Sequence, residues 1–458
     1  MNNKTGCLLV CLLGLLAWPL STVGQSPDAP EPLNLEQAVR LGLQNNSLLK
    51  ASELGVEAAQ ARVRAAWAGY LPKVSFDHTL TRGNNPVYVF GSLLTQRRFT
   101  EANFALTSLN VPSPLSNFQN KISLSQSLYD FGRTHNGVAQ SRLGTKLSEK
   151  ELEAARSDLI FRIVKAYHEA ILAQEMVKVA ESAVKSAIAA EESSQSRVEA
   201  GVALESDLLS IQVHRAAREE DLLKARNQLR LAQSALSFEL GVSLDRQFAL
   251  AQPSQPAPAE SADLAALQAK ALENRPDYQQ SLLATQSQDL SVKASRNQFL
   301  PTLSLFASWE TDDQSFASRA GNNWLAGVNF HINLFNGGAD AARLAESRAQ
   351  QRKASAMQEH MAQAVRLQVQ RALLDLETAN QRVKVNEQSV QQAEESLRII
   401  RTRYDSGLAT VTDLLRAETA VTAAKGNYLR ALFDQRIGVA DLERQVGSLS
   451  PDSRLIRE

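Results

Sequence analysis

The sequence predicts a mostly α-helical chain with a small β part: a tandem duplication in which long coiled-coil helices join four β-strands that close into a barrel only with strands from other copies. Three observations carry this. Residues 43–76 (LQNNSLLKAS…GYLPKVSF) run in register with 272–305 (LENRPDYQQS…QFLPTLSL). Two stretches of about 70 residues hold no proline and almost no glycine. Four segments alternate apolar and polar residues with a period of two.

The chain opens with Lys4, an apolar run from Cys7 to Leu16 and the small-residue exit Ser21-Thr22-Val23-Gly24, the pattern of a signal peptide over 1–24 cleaved before Gln25. The run is too short for the roughly 20 apolar residues that span a bilayer, so the mature protein is expected to be exported rather than anchored by it. Both cysteines, Cys7 and Cys11, fall inside this segment. The mature chain then has no disulfide framework and no thiolate metal site. Cys11 follows Val10 rather than a small residue, which argues against lipid anchoring.

Lys+Arg and Asp+Glu each number 49 in 458 residues, which leaves no basic footprint for nucleic acid. The first repeat is placed at 25–250, a Pro/Ala/Ser linker (AQPSQPAPAES) at 251–262, the second repeat at 263–447 and a C-terminal tail at 448–458. Within the repeats RVEAGVALESDLL from Arg197 matches RYDSGLATVTDLL from Arg403. The Leu-Pro pairs, Leu71-Pro72 and Leu300-Pro301, lie farther apart than Gly201 and Gly407, so the first repeat carries an insertion of roughly two dozen residues. It maps to an Asn/Pro/Gly/Ser-rich loop between Gly83 and Asn117, with a short counterpart at 311–323.

Each repeat reads as a helix of moderate length, strand, loop, strand, very long helix, tight turn and further helix. The long helices run from about Gly132 to Ala200 and from about Gly338 to Ser406, rods of roughly 100 Å at about 1.5 Å per residue. Patterns this long point to coiled coil. The helices at about Asn46 to Tyr70 and Leu204 to Leu240, stacked end to end, match one long helix, which suggests an antiparallel coiled-coil wall.

The alternating segments carry Val74, Phe76 and Leu80; Phe118, Ile122, Leu124 and Leu128; Leu303, Leu305 and Trp309; and Trp324, Val328, Phe330, Ile332 and Leu334. Alternation alone also fits a half-buried sheet in a soluble domain. Each segment, however, has about the 9–11 residues that cross a bilayer obliquely, and four strands leave open edges. Bilayer backbone tolerates no edge, so several chains must share one barrel: a dimer gives eight strands with a filled interior, a trimer twelve with room for water. Tyr129, Phe131, Phe299 and Phe335 sit at strand ends, as an interfacial aromatic girdle requires, although such rings also serve as core anchors.

The duplicated GYLP and FLPTLSL junctions, SLYDFGR and NLFNGG leading into long helices, and the RYDSGLATVTDLL turn resemble those of TolC-like outer-membrane efflux proteins along essentially the whole mature chain. The resemblance implies a homotrimer with a twelve-stranded barrel held by outer-membrane lipid and a helical barrel in the periplasm. It also implies a closed periplasmic end that opens when a periplasmic adaptor and an inner-membrane pump engage it.

By the same resemblance the two Gly-punctuated turns dock the adaptor, through Gly201, Val202, Leu204, Asp207, Gly407 and Leu408. The second-repeat tip forms the gate, with Tyr404 and Asp413 matching the family's tyrosine and aspartate and three Asp413 carboxylates making an acidic ring at the constriction. The tip departs from the family pattern at Ala409, where an arginine is expected, and at Arg416, where an acidic residue is expected. Arg401, Arg403 and Tyr404 are then the candidates to hold the closed state, pairing with Asp405 or with the first-repeat tip.

The six histidines, His78, His135, His168, His214, His331 and His360, lack metal-ligand spacing, and no P-loop, nucleophile elbow or HExxH is present. The expectation is a passive duct without enzyme activity, cofactor or metal, driven by its partners. A duct for secreted proteins fits the same residues, and a coiled-coil tether fits the helices but not the duplicated strands.

Overall fold

The computed structural model describes residues 31–251, 263–316 and 321–457. The expected signal peptide, and the linker beyond Ala251, lie outside the described residues. After the short strand β1 (Glu31–Leu33), the first repeat runs α1 (Leu35–Asn45), α2 (Ser47–Trp67), β2 (Lys73–Gly83), α3 (Pro86–Thr95), α4 (Leu106–Asn110), β3 (Leu115–Tyr129), α5 (Arg133–Glu199), α6 (Glu205–Leu240) and β4 (Phe248–Leu250). The second runs α7 (Leu264–Asn274), α8 (Pro276–Asn297), β5 (Thr302–Asp313), β6 (Gly321–His331), α9 (Ala339–Asp405) and α10 (Val411–Val446), followed by the short α11 (Arg454–Arg457).

The rods α5 and α9 are 67 residues each, about 100 Å, and α6 and α10 are 36 residues each. Each rod packs against the helix that follows it and the helix pair that precedes its strands. The rods start by the same device. Asp130 accepts from the Gly132 and Thr134 amides at 3.0 and 2.7 Å while Phe131 and Gly132 turn the chain through left-handed conformations. Asn336 occupies the matching place before α9, with Gly337 and Gly338 left-handed.

The moderate-length helix expected from about Asn46 is α2, and in each repeat a shorter helix precedes it. Asn46 ends α1 and caps α2, its carboxamide oxygen accepting from Leu48 and Leu49 amides at 3.0 and 3.3 Å while its nitrogen donates to the Glu239 carbonyl at 3.0 Å. Arg275 marks the equivalent break before Pro276, at the first position of α8. Around this level lies the main core, where Leu33, Val39, Ile163, Tyr167, Leu240 and Ile456 meet from α1, α5, α6, β1 and α11. The Tyr167 hydroxyl bridges the Leu33 and Ala251 carbonyls at 3.0 and 2.8 Å, on either side of the parallel β1–β4 pair, and burial pushes its pKa up to about 12.

The second sheet is antiparallel in the order β2-β3-β5-β6, leaving β2 and β6 each with one unpaired edge in the chain. Its register gives the sheet one mainly apolar and one mainly polar face, with Leu325 and Phe306 on the polar one and a polar row, His78, Asn120, Thr311 and Asn322, on the apolar one. One row across all four strands is Phe76, Ile122, Trp309 and Trp324, and the adjacent row on the opposite face is Asp77, Lys121, Glu310 and Asn323. The apolar rings face solvent in the single chain, Phe76 at 64% and Trp324 at 78% exposure, so this face has no partner within the protomer. Two expectations need correction. β6 ends at His331, so Ile332 and Leu334 belong to the connection to α9. The insertion is not an irregular loop: Asn85 caps α3, with Pro86 at its first position, and α4 and a 3₁₀ turn follow. Among the described residues no helix is long and apolar enough to cross a membrane.

Candidate functional site at the hairpin tips

At the far end of the rods from the sheet, both long hairpins turn through the same motif. The Gly201 amide donates to the Val198 carbonyl and the Val202 amide to that of Arg197, both at 2.9 Å; Gly407 donates to Tyr404 at 3.0 Å and Leu408 to Arg403 at 2.7 Å. This crossed pair is the Schellman turn, which needs a left-handed residue, and Gly201 and Gly407 have φ of 73° and 75°. A Cβ at either glycine would meet nothing within 4 Å, so backbone conformation rather than space requires glycine here.

The next helices start differently. Thr410 caps α10 through a capping box: its hydroxyl accepts from the Asp413 amide at 3.2 Å, while Asp413 Oδ2 accepts from the Thr410 amide at 3.1 Å and hydroxyl at 2.7 Å. These bonds from Thr410 hold the Asp413 carboxyl below the usual carboxylate range, with smaller help from Arg416 and Arg403. The first-repeat counterpart of Thr410 is Leu204, which offers no side-chain cap, and Asp207 makes no matching bond. Val202, Leu204 and Leu408 are 66–70% exposed, so both tips present apolar side chains to solvent.

The two tips are joined. Tyr404 is 7% exposed and packs with Ile211, Val411 and Leu414, a small core drawn from both hairpins. Arg197 of α5 covers it: the guanidinium carbon lies 4.8 Å from the ring centroid, and Nη1 donates to the Tyr404 carbonyl at 3.0 Å. Of the expected latch residues, Tyr404 therefore does meet the first-repeat tip. Arg401 does not pair with Asp405. It reaches across to Glu418 of α10 at 2.9 Å, a carboxylate only 7% exposed, which attracts the guanidinium more strongly than the water-screened Asp405 does. Arg403 and Asp405 are exposed and make no ion pair among the described residues.

Sequence reasoning missed Arg197, yet a signal for it existed: in the aligned repeats it is the counterpart of Arg403. It also missed Glu418, a carboxylate 7% exposed that lies 3.6 Å from His214 Nε2 of α6 while accepting from Arg401. His214 is held below its ordinary pKa by burial, then by Arg218, with Glu418 and Asp221 opposing. Among the described residues no group of three or more His, Cys, Asp or Glu side chains could hold a metal.

Known proteins give this arrangement a context. Residues 38–242 and 267–448, one span per repeat, match the outer membrane efflux protein family. The outer membrane efflux protein BepC of Brucella suis is 22% identical over 89% of this chain and 84% of its own length. The alkaline protease secretion protein AprF of Pseudomonas aeruginosa is 23% identical over 91% of this chain and 85% of its own. Among solved structures, the CmeC outer membrane channel of Campylobacter jejuni superposes with a TM-score of 0.76 at 20% identity, covering 93% of this chain and 88% of that one. CusC superposes at 0.77 and 18% identity, covering 93% and 96%.

Proposed function

Since the chain belongs to the outer membrane efflux protein family, we propose that three copies form a passive duct in the outer membrane that carries solutes out of the periplasm. The observation that carries this reading is the two-faced sheet, unpaired at both outer strands and apolar on a face that nothing in the chain covers. Pairing β2 of one copy with β6 of the next removes every edge and yields twelve strands. An 11-residue strand is about 36 Å long and, tilted by about 40°, spans roughly 28 Å, the thickness of a bilayer core. The rods then continue the duct as a helical barrel into the periplasm.

In this reading the tips are the gate. Arg197 pins Tyr404 and Arg401 pins Glu418, contacts of a few kcal/mol that an arriving partner can exchange for its own. Gly201, Val202, Leu204, Asp207, Gly407 and Leu408 meet a periplasmic adaptor, and an inner-membrane pump supplies the energy. Three Asp413 carboxylates, with Arg403 and Asp405 nearby, set the charge at the constriction. The test is single-channel conductance of the purified trimer in planar bilayers. A small, cation-preferring conductance that grows in Arg197→Ala supports the gated duct, and a properly inserted trimer that never conducts rules it out.

A second reading, export of folded or unfolded polypeptide, is favoured by the relatives AprF and PrtF, both described as protease secretion proteins. Secretion of a co-expressed protease by cells carrying this chain, with matching adaptor and transporter, separates the two.

A further inference from the structure

We infer that the first-repeat insertion, residues 84–114, is an inward-folded constriction at the outer mouth of the duct, separate from the tips. The inference rests on the reading that the polar face of the sheet lines the lumen.

The insertion joins β2 to β3 at the end of the sheet away from the helices; it is tied to main-chain carbonyls at the rim, and the sheet side chains that touch it lie on one face. Gln96, at the end of α3 and fully buried, donates from Nε2 to the Ser116 carbonyl at 3.0 Å and to Asn117 Oδ1 at 2.8 Å. Asn323 Nδ2 donates to the Thr95 carbonyl at 3.2 Å, and Arg97 Nη2 to the Asn322 carbonyl at 2.6 Å. A Cβ on Gly321 would lie 1.7 Å from the Thr95 carbonyl oxygen, so the end of α3 is seated directly on the first residue of β6. By the register, Asn117, Gly321 and Asn323 share a face with Asp77, Glu310 and Asp312. That is the polar face. Asp312, 1% exposed, accepts from Asn117 at 2.7 Å beneath the insertion.

The insertion is also a packed body. Phe90, Phe99 and Phe104 stack edge to face at 4.8 and 5.1 Å, and the Tyr88 hydroxyl donates to the Thr81 carbonyl at 2.9 Å. Size makes its position consequential. Twelve strands spaced about 4.8 Å apart and tilted by about 40° enclose a backbone ring of roughly 24 Å diameter. Three helices, each about 10 Å across, fill most of such a ring. The second repeat lacks the insertion, so three such bodies, not six, ring the mouth.

The experiment uses single cysteines in the otherwise thiol-free mature protein, in outer-membrane vesicles, labelled from outside with a small and a polymer-tagged maleimide. Ser308→Cys lies on the polar face in the row of Ser75 and Ser123, and Val328→Cys on the apolar face. The small reagent is expected to label Ser308→Cys readily and the polymer-tagged one to label it slower by an order of magnitude. That difference should vanish when 87–112 is replaced by a short Gly-Ser link or when Gly321→Val unseats α3. The second variant covers the case in which the deletion fails to assemble. Equal labelling by both reagents in the intact insertion overturns the constriction. Reaction of Val328→Cys with the small reagent while Ser308→Cys stays inert overturns the underlying assignment of the lumen instead.

Discussion

The Arg197 guanidinium carbon lies over the Tyr404 ring, 4.8 Å from its centroid, and Nη1 donates to the same residue's main-chain carbonyl. Neither contact uses the phenolic oxygen. Arg197→Ala removes a charged hydrogen bond of about 1.5–3 kcal/mol and a cation–π contact of about 0.5–1 kcal/mol. We expect larger and longer openings in planar bilayers for Arg197→Ala and for Tyr404→Leu, and near-native traces for Tyr404→Phe. A Phe variant as open as the Leu variant would show that the hydroxyl, not the ring, holds the tip.

Asp413 has two separable properties, since it caps α10 and carries a charge. Asp413→Ala loses both and should weaken the start of α10, while Asp413→Asn keeps an acceptor for Thr410. If the acidic ring sets selectivity, both variants lose cation preference in reversal-potential measurements, and only Ala lowers the melting temperature.

The tip glycines are fixed by backbone conformation. Gly201→Ala and Gly407→Ala each place a side chain on a left-handed residue, at about 1–2 kcal/mol, without a steric clash. Melting should shift modestly and equally for the two. Leu204→Asp and Leu408→Asp should both abolish co-purification with the adaptor; Leu408→Asp should leave melting unchanged, while Leu204→Asp, which supplies the cap that α6 lacks, should raise it slightly.

Acid sensitivity follows from His168, which is buried, and His214, which is partly buried. His168 is 4% exposed, and burial, assisted by Arg436, lowers its pKa to about 3; His214 is lowered as well. A histidine with a depressed folded pKa contributes stability above its unfolded value of 6.5, and that contribution is lost as pH falls towards the folded value. At pH 5 His168 alone should cost about 2 kcal/mol relative to pH 7. His168→Leu is expected to flatten the melting profile between pH 7 and 5; an unchanged slope would mean that other groups govern it.

Much of this architecture is legible in the residues because its largest elements obey the simplest rules. The ends of α5 and α9 follow from long proline-free stretches bounded by glycine, and β2, β3 and β5 from strict alternation. The start of α2 at Asn46 is legible, but the same side chain's bond to the Glu239 carbonyl, almost 200 residues away, is reported by no local pattern. β1 and β4, three residues each, are too short to show a period, and α11 is held by Leu455 and Ile456 entering a core assembled from distant segments. The Asn85-Pro86 start of α3 was visible, but it sits in a composition typical of loops. At the tips the turn motifs are local and readable. The Arg197–Tyr404 contact arises only when two hairpins pack side by side.

The parallel pairing of Glu31–Leu33 with Phe248–Leu250 also imposes a schedule. A chain is made from its N-terminus, so the first of these strands waits, unpaired, until more than 200 further residues have followed it. Only then can Tyr167 clasp Leu33 and Ala251 together. That clasp uses only residues that precede the second repeat, whereas the core around it also takes Leu455 and Ile456, so the mid-rod level is sealed only by the last residues of the chain.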